Sequence, residues 1–171
     1  VGDFVLSGGT LDLGSGLSDS VKFSFSTSPG TDIIFNNSEL VVGASTIDFG
    51  VLSAVVAGTG SKLTFNGNGN QLFVPKDGPL HPAILIDNPA ASVTCSINAL
   101  NGRNIAILSG SFTFGGAGLT HKIDTISGSG TINFAGANLD VKGNAHFGAM
   151  VGLSGVDATD TLFFSANTGI Q

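Results

Sequence analysis

The chain has no Trp and no Tyr, one Cys, one Met and a single Arg in 171 residues. Tyr and Trp bring a polar handle to binding faces, whereas its 13 Phe bring only apolar bulk. The Phe are therefore expected in the core, and a sugar-binding platform of Tyr or Trp is excluded. With Cys95 alone no intrachain disulfide exists, so a small disulfide-stapled fold is excluded. Flanked by Thr94 and Ser96 in an alternating stretch, Cys95 reads as a small buried hydrophobe.

Charge is also scarce: 12 acidic and 6 basic residues give a net −6. Nucleic acid and anionic membranes attract basic surfaces, so neither is an expected partner. The longest mainly apolar stretch, Phe49 to Ala57, is far shorter than the roughly 20 residues of a spanning helix. No signal peptide is recognisable. Because it starts at Val1, the chain reads as a processed product or a piece of a larger protein.

Helical periodicity is missing too, and 26 Gly would weaken any helix they interrupted. What is present is one short pattern used repeatedly. It runs Leu11-Asp12-Leu13-Gly14, Ile47-Asp48-Phe49-Gly50, Leu63-Thr64-Phe65-Asn66, Phe112-Thr113-Phe114-Gly115 and Ile132-Asn133-Phe134-Ala135. Ile33-Ile34-Phe35-Asn36 and Leu162-Phe163-Phe164-Ser165 are looser copies. Apolar residues two apart share one face of a strand. Clusters such as Gly58-Thr59-Gly60-Ser61, Asn66-Gly67-Asn68-Gly69-Asn70 and Ser127-Gly128-Ser129-Gly130 supply corners. The chain is all-β.

Successive pattern ends lie 22, 14, 16, 49, 20 and 30 residues apart, and strands at Ile84-Leu85-Ile86 and Ile105-Ala106-Ile107-Leu108 divide the longest gap. Many spacings near 20 suit a parallel β-helix. Strict repetition is missing, so an antiparallel β-sandwich or jelly roll is the alternative. The Asn66-Gly67 and Asn101-Gly102 pairs carry the hairpin signal of that alternative. One domain is expected over 1–171. Pro75, Pro79, Pro82 and Pro89 crowd one region, and proline donates nothing to a sheet ladder. A loop at about 75–82 is predicted, a lateral excursion between coils.

The stretch from Ile126 to Val141, with its Gly128-Ser129-Gly130-Thr131 corner leading into Ile132-Asn133-Phe134, resembles a rung of the secreted passengers of bacterial autotransporters. Gly58 to Phe65, Leu6 to Gly14 and Leu108 to Gly118 look similar, and filamentous haemagglutinin-like adhesins share the style. The resemblance implies a right-handed parallel β-helix on the cell surface. The family's membrane-embedded barrel and a protease constellation are not in this sequence.

Candidate chemistry is sparse. Asp157 and Asp160 form the closest acidic pair, in a Gly-flanked loop, without a basic neighbour. Hard cations take loop carboxylates and carbonyls, so calcium is the one cofactor considered, at these two residues. His81, His121 and His146 are far apart in sequence and read as polar side chains at loops or strand edges. No Gly-x-Ser-x-Gly elbow or phosphate-cradling loop is present. No regular Thr-x-Thr array of the kind ice binding needs is visible. Asn36-Asn37-Ser38 matches a glycosylation acceptor, as expected by chance in an Asn- and Ser-rich chain.

These features read as a non-enzymatic extracellular structural or adhesive surface protein. Its expected partners are other copies of itself, or a host or neighbouring-cell surface. The alternative is a self-assembling filament or surface-layer subunit joined by strand addition, with Phe4, Val5 and Leu6 as the candidate donated strand. A polysaccharide-processing enzyme of the β-helix type stands third.

Overall fold

The computed structural model describes residues 4–21, 25–146, 152–154 and 159–165. Short alternating segments broken by Gly, Asn or Ser corners build a coil of three faces. The first turn is β1 (Phe4–Leu6), β2 (Thr10–Asp12) and β3 (Ser18–Val21), one strand per face. β4 (Phe25–Thr27), β5 (Asp32–Ile34) and β6 (Glu39–Val42) repeat it. So do β7 (Thr46–Asp48), β8 (Ala54–Val56) and β9 (Lys62–Phe65). The fourth turn starts with β10 (Gln71–Val74) and runs into β11 (Ala83–Cys95). β11, β12 (Asn101–Gly115) and β13 (Thr120–Gly128) are long because they bend around corners and serve more than one face. β14 (Thr131–Ala135), β15 (Asn138–Val141), β16 (Gly152–Ser154) and β17 (Leu162–Phe164) complete the order.

Every strand pairs in parallel with its counterpart one turn away. The chain is a parallel β-solenoid of about seven turns, with no helix among the described residues. Each turn advances the stack by about 4.8 Å, the hydrogen-bonded strand spacing. Neither Asn-Gly pair makes a hairpin: Asn66-Gly67 turns a corner and Asn101-Gly102 lies inside β12.

Register sets the core. Phe25, Ile47, Phe73, Cys95, Phe114 and Phe134 are successive partners on face 1, none more than 5% exposed. Leu40, Leu63, Ile84, Ile105 and Ile126 form the matching column on face 3. Fully burying one such side chain is worth about 1.5–3 kcal/mol, and each turn also screens its neighbours. Corners draw close enough to require glycine at Gly110 (φ 75°), where a Cβ would stand 1.9 Å from the Asn88 carbonyl oxygen.

Face 2 is interrupted. β2, β5 and β8 form one sheet; the starts of β12 and β13 with β15 and β17 form a second stretch. Between them lies the predicted proline-bearing segment, which forms no strand over 75–80. Its one β-bridge to the next turn is His81–Gly102, where the His81 N–H donates to the Asn101 carbonyl.

Candidate functional site

The acidic pair considered for calcium falls partly outside the described residues: Asp160 is described, Asp157 is not. Among the described residues no group of three or more His, Cys, Asp or Glu is placed to hold a metal. Phe4–Leu6 is the first rung of face 1, paired with Phe25–Thr27, and Phe4 stacks on Phe25 at 5.4 Å. Its opposite edge has no strand partner among the described residues.

Two histidines depart from expectation. His81 and His121 are fully buried, not at loop surfaces or strand edges. His121 shares an inward phase with Ile123 on β13, two residues on. Its Nδ1 accepts the Leu100 N–H at 3.1 Å and its Nε2 donates to the Gly115 carbonyl at 2.9 Å, which defines a neutral tautomer. Cys95, the small member of the face 1 column, leaves room for this ring, with Sγ 4.0 Å from Nδ1. His81 lies parallel to Phe49 and edge-on to Phe73, with Nε2 2.9 Å from the Lys76 carbonyl. Burial lowers both imidazole pKa values, and the backbone bond of each offsets this in part. Burial also pushes the Cys95 thiol far above its ordinary range. Cys95 is thus the inert core residue its context predicts. His146 is exposed, as expected of a loop histidine.

The proline-bearing segment is tied down by side chains in place of a ladder. Lys76 Nζ donates to the Leu52 carbonyl at 2.5 Å, Asn98 to that of Pro75 and Asn101 to that of Gly78. Beside it an open recess of about 160 Å³ is lined by Asp77, Gly78, Ala99, Leu100, Asn101, Thr120 and Lys122. The glycosylation match is occupied internally. Asn36 Nδ2 donates to Asp12 at 2.5 Å, and the buried Ser38 hydroxyl bonds across the corner to Gly14 and Leu17.

Folding also assembles a surface not apparent in the sequence. Ser92 and Thr94, Ser111 and Thr113, and Thr131 and Asn133 stand in register on face 1 over three consecutive turns. All six are half-buried. Ser92 and Thr113 hydroxyls lie 3.0 Å apart, Asn133 donates to Thr113 at 3.2 Å, and Ser154 continues the series by bonding to Asn133. The result is a sheet of short hydroxyl and amide groups, spaced about 4.8 Å between turns and about 6.8 Å along a strand.

No family model, curated protein or solved structure matches the chain.

Proposed function

We propose that this chain is an extracellular structural or adhesive module, built like a surface passenger, that works as a stiff rod and not as a catalyst. The observation that carries the reading is the continuous register. The same stacking that aligns the apolar columns inward aligns Ser92, Thr94, Ser111, Thr113, Thr131 and Asn133 outward on face 1. Short side chains tied to one another lose little conformational freedom when a partner covers them. Such a face suits contacts with a polar surface made through many weak hydrogen bonds. The test is display of the chain on a non-adherent cell, scored for attachment to host cells or polysaccharide-coated surfaces. Gained attachment supports the reading; a displayed, folded chain that confers none overturns it.

A second reading, a filament subunit joined end to end, has its own observation. Leu162 and Phe164 continue the inward columns of Leu139 and Val141, yet Phe164 is 60% exposed. Exposed apolar groups on the last described strand invite pairing with another chain. A purified sample whose mass grows with concentration, and stays small in a Phe163→Ser/Phe164→Ser variant, would favour that reading.

A further inference from the structure

We infer that His81 and His121, while neutral, form an acid-released latch on the edge of the rod between faces 1 and 2 across turns four to six. Both rings do the same structural work from inside the core: each holds a corner segment by its main chain. His81 takes the carbonyl of Lys76 in the turn-four corner. His121 takes the N–H of Leu100 in the turn-five corner and the carbonyl of Gly115 at the start of the turn-six corner. The turn-four corner adjoins the stretch where face 2 has no ladder, and the ladder resumes just past Leu100, whose carbonyl accepts the Lys122 N–H at 2.7 Å. The open recess lies among the same segments, lined by Asp77 and Gly78, by 99–101, and by Thr120 and Lys122.

The Nδ1 of His121 serves as an acceptor. Protonation there turns it into a donor facing the Leu100 donor, so the bond is lost and a positive charge is left in the core. Among the described residues no carboxylate bonds to either ring. Against His121 stand Cys95 from β11, Leu100, Phe114 and Gly115 from β12 and its corners, and its register partner Leu139 on β15. Against His81 stand Phe49 from the corner after β7, Phe73 of β10, the Lys76 carbonyl and Gly102 of β12. Cys95 is the one titratable side chain among these groups, and burial keeps its thiol protonated. The Lys76 ammonium is engaged with Leu52, and Lys122 points to the exposed face of β13. The closed edge therefore rejects the proton, whereas an opened edge gives each imidazole to water, where it titrates near 6.5. Acid then draws the edge open, since the open form binds more protons. For each histidine released, the opening equilibrium rises about tenfold between pH 7.5 and pH 5.5.

Native-state hydrogen exchange on the full chain tests this, with rates corrected for the intrinsic pH dependence of amide exchange. The Leu100 amide should lose about tenfold in protection between pH 7.5 and 5.5. The Lys62 amide, bonded to the Ser38 carbonyl on face 3, should keep its protection. Unchanged protection at Leu100, or an equal fall at Lys62, overturns the latch. His121→Gln, which keeps a donor and an acceptor but does not titrate, should abolish the pH dependence at Leu100. If that variant does not fold, imidazole nitrogen shifts of the unaltered protein decide. His121 should remain the neutral Nε2–H tautomer at pH 5.5, and ordinary titration near 6.5 overturns the proposal.

Discussion

The guanidinium of Arg103 donates to the main-chain carbonyl of Ala57 at 3.1 Å, across 46 residues and two turns of the solenoid. The turn between them carries Pro75, Pro79 and Pro82, which have no N–H to offer either neighbour. The chain's one arginine thus spans the break in face 2, a job that suits a long planar donor. Arg103→Met, which keeps the apolar stem, should lower unfolding free energy by about 1–2 kcal/mol. Chemical denaturation checks it. A loss no larger than at an ordinary surface site would show that the bond contributes nothing.

Phe73 contacts Phe49, Phe65 and His81 with ring centroids 5.5 to 5.8 Å apart, at full burial. Phe73→Ala should cost about 3–5 kcal/mol. Phe163, on the outer phase of β17 and 48% exposed, is the control. Phe163→Ser should change stability by no more than about 0.5 kcal/mol. Thermal unfolding of the two variants separates a stacked core from a loosely packed one.

Ile97 sits at φ 77°, in the left-handed region, with its side chain 65% exposed. A β-branched residue is disfavoured there by about 1–2 kcal/mol, while glycine is not. Ile97→Gly should therefore stabilise the protein by about 1 kcal/mol, even after glycine's own entropy cost. The midpoint of thermal melting should rise by about 2–4 °C, and a fall would show that the side chain makes contacts that outweigh the strain.

The fold class was legible because period two is hard to mistake over so many short segments. The uneven intervals between pattern copies have a simple cause. Ile33-Ile34-Phe35 lies on face 2, Ile47-Asp48-Phe49 on face 1 and Leu63-Thr64-Phe65 on face 3, so steps of 14 and 16 measure the distance between faces. Steps such as Phe114 to Phe134 measure whole turns. His121 was readable in principle, two residues before Ile123 in the inward phase. His81 was not, because the prolines around it erase alternation. The face 1 ladder needs register before it exists at all. Ser92-x-Thr94, Ser111-x-Thr113 and Thr131-x-Asn133 are 19 and 20 residues apart and share no strict motif.

Global stability should also depend on pH through the two buried histidines. Their folded-state pKa values lie below that of the unfolded chain, because desolvation disfavours the imidazolium. The unfolded chain then binds more protons in mild acid. The contribution is fully present above about pH 6.5 and is lost as pH falls below it, by up to about 1.4 kcal/mol per histidine per unit. Loss stops where the folded protein itself takes up the proton. Urea denaturation at pH 7.5, 6.5 and 5.5 measures this slope, and His121→Gln should make it shallower. A flat profile between pH 7.5 and 5.5 would contradict the neutral buried tautomers.

The central claim is that the rod acts through its side face. The most direct measurement compares attachment of cells displaying the unaltered chain, a Thr113→Lys/Asn133→Lys variant on face 1, and a Phe163→Ser/Phe164→Ser variant at the end of the described coil. The account predicts that the face 1 variant falls to the level of cells displaying nothing, while the end variant attaches like the unaltered chain. Attachment lost through the end variant and kept by the face 1 variant would contradict it.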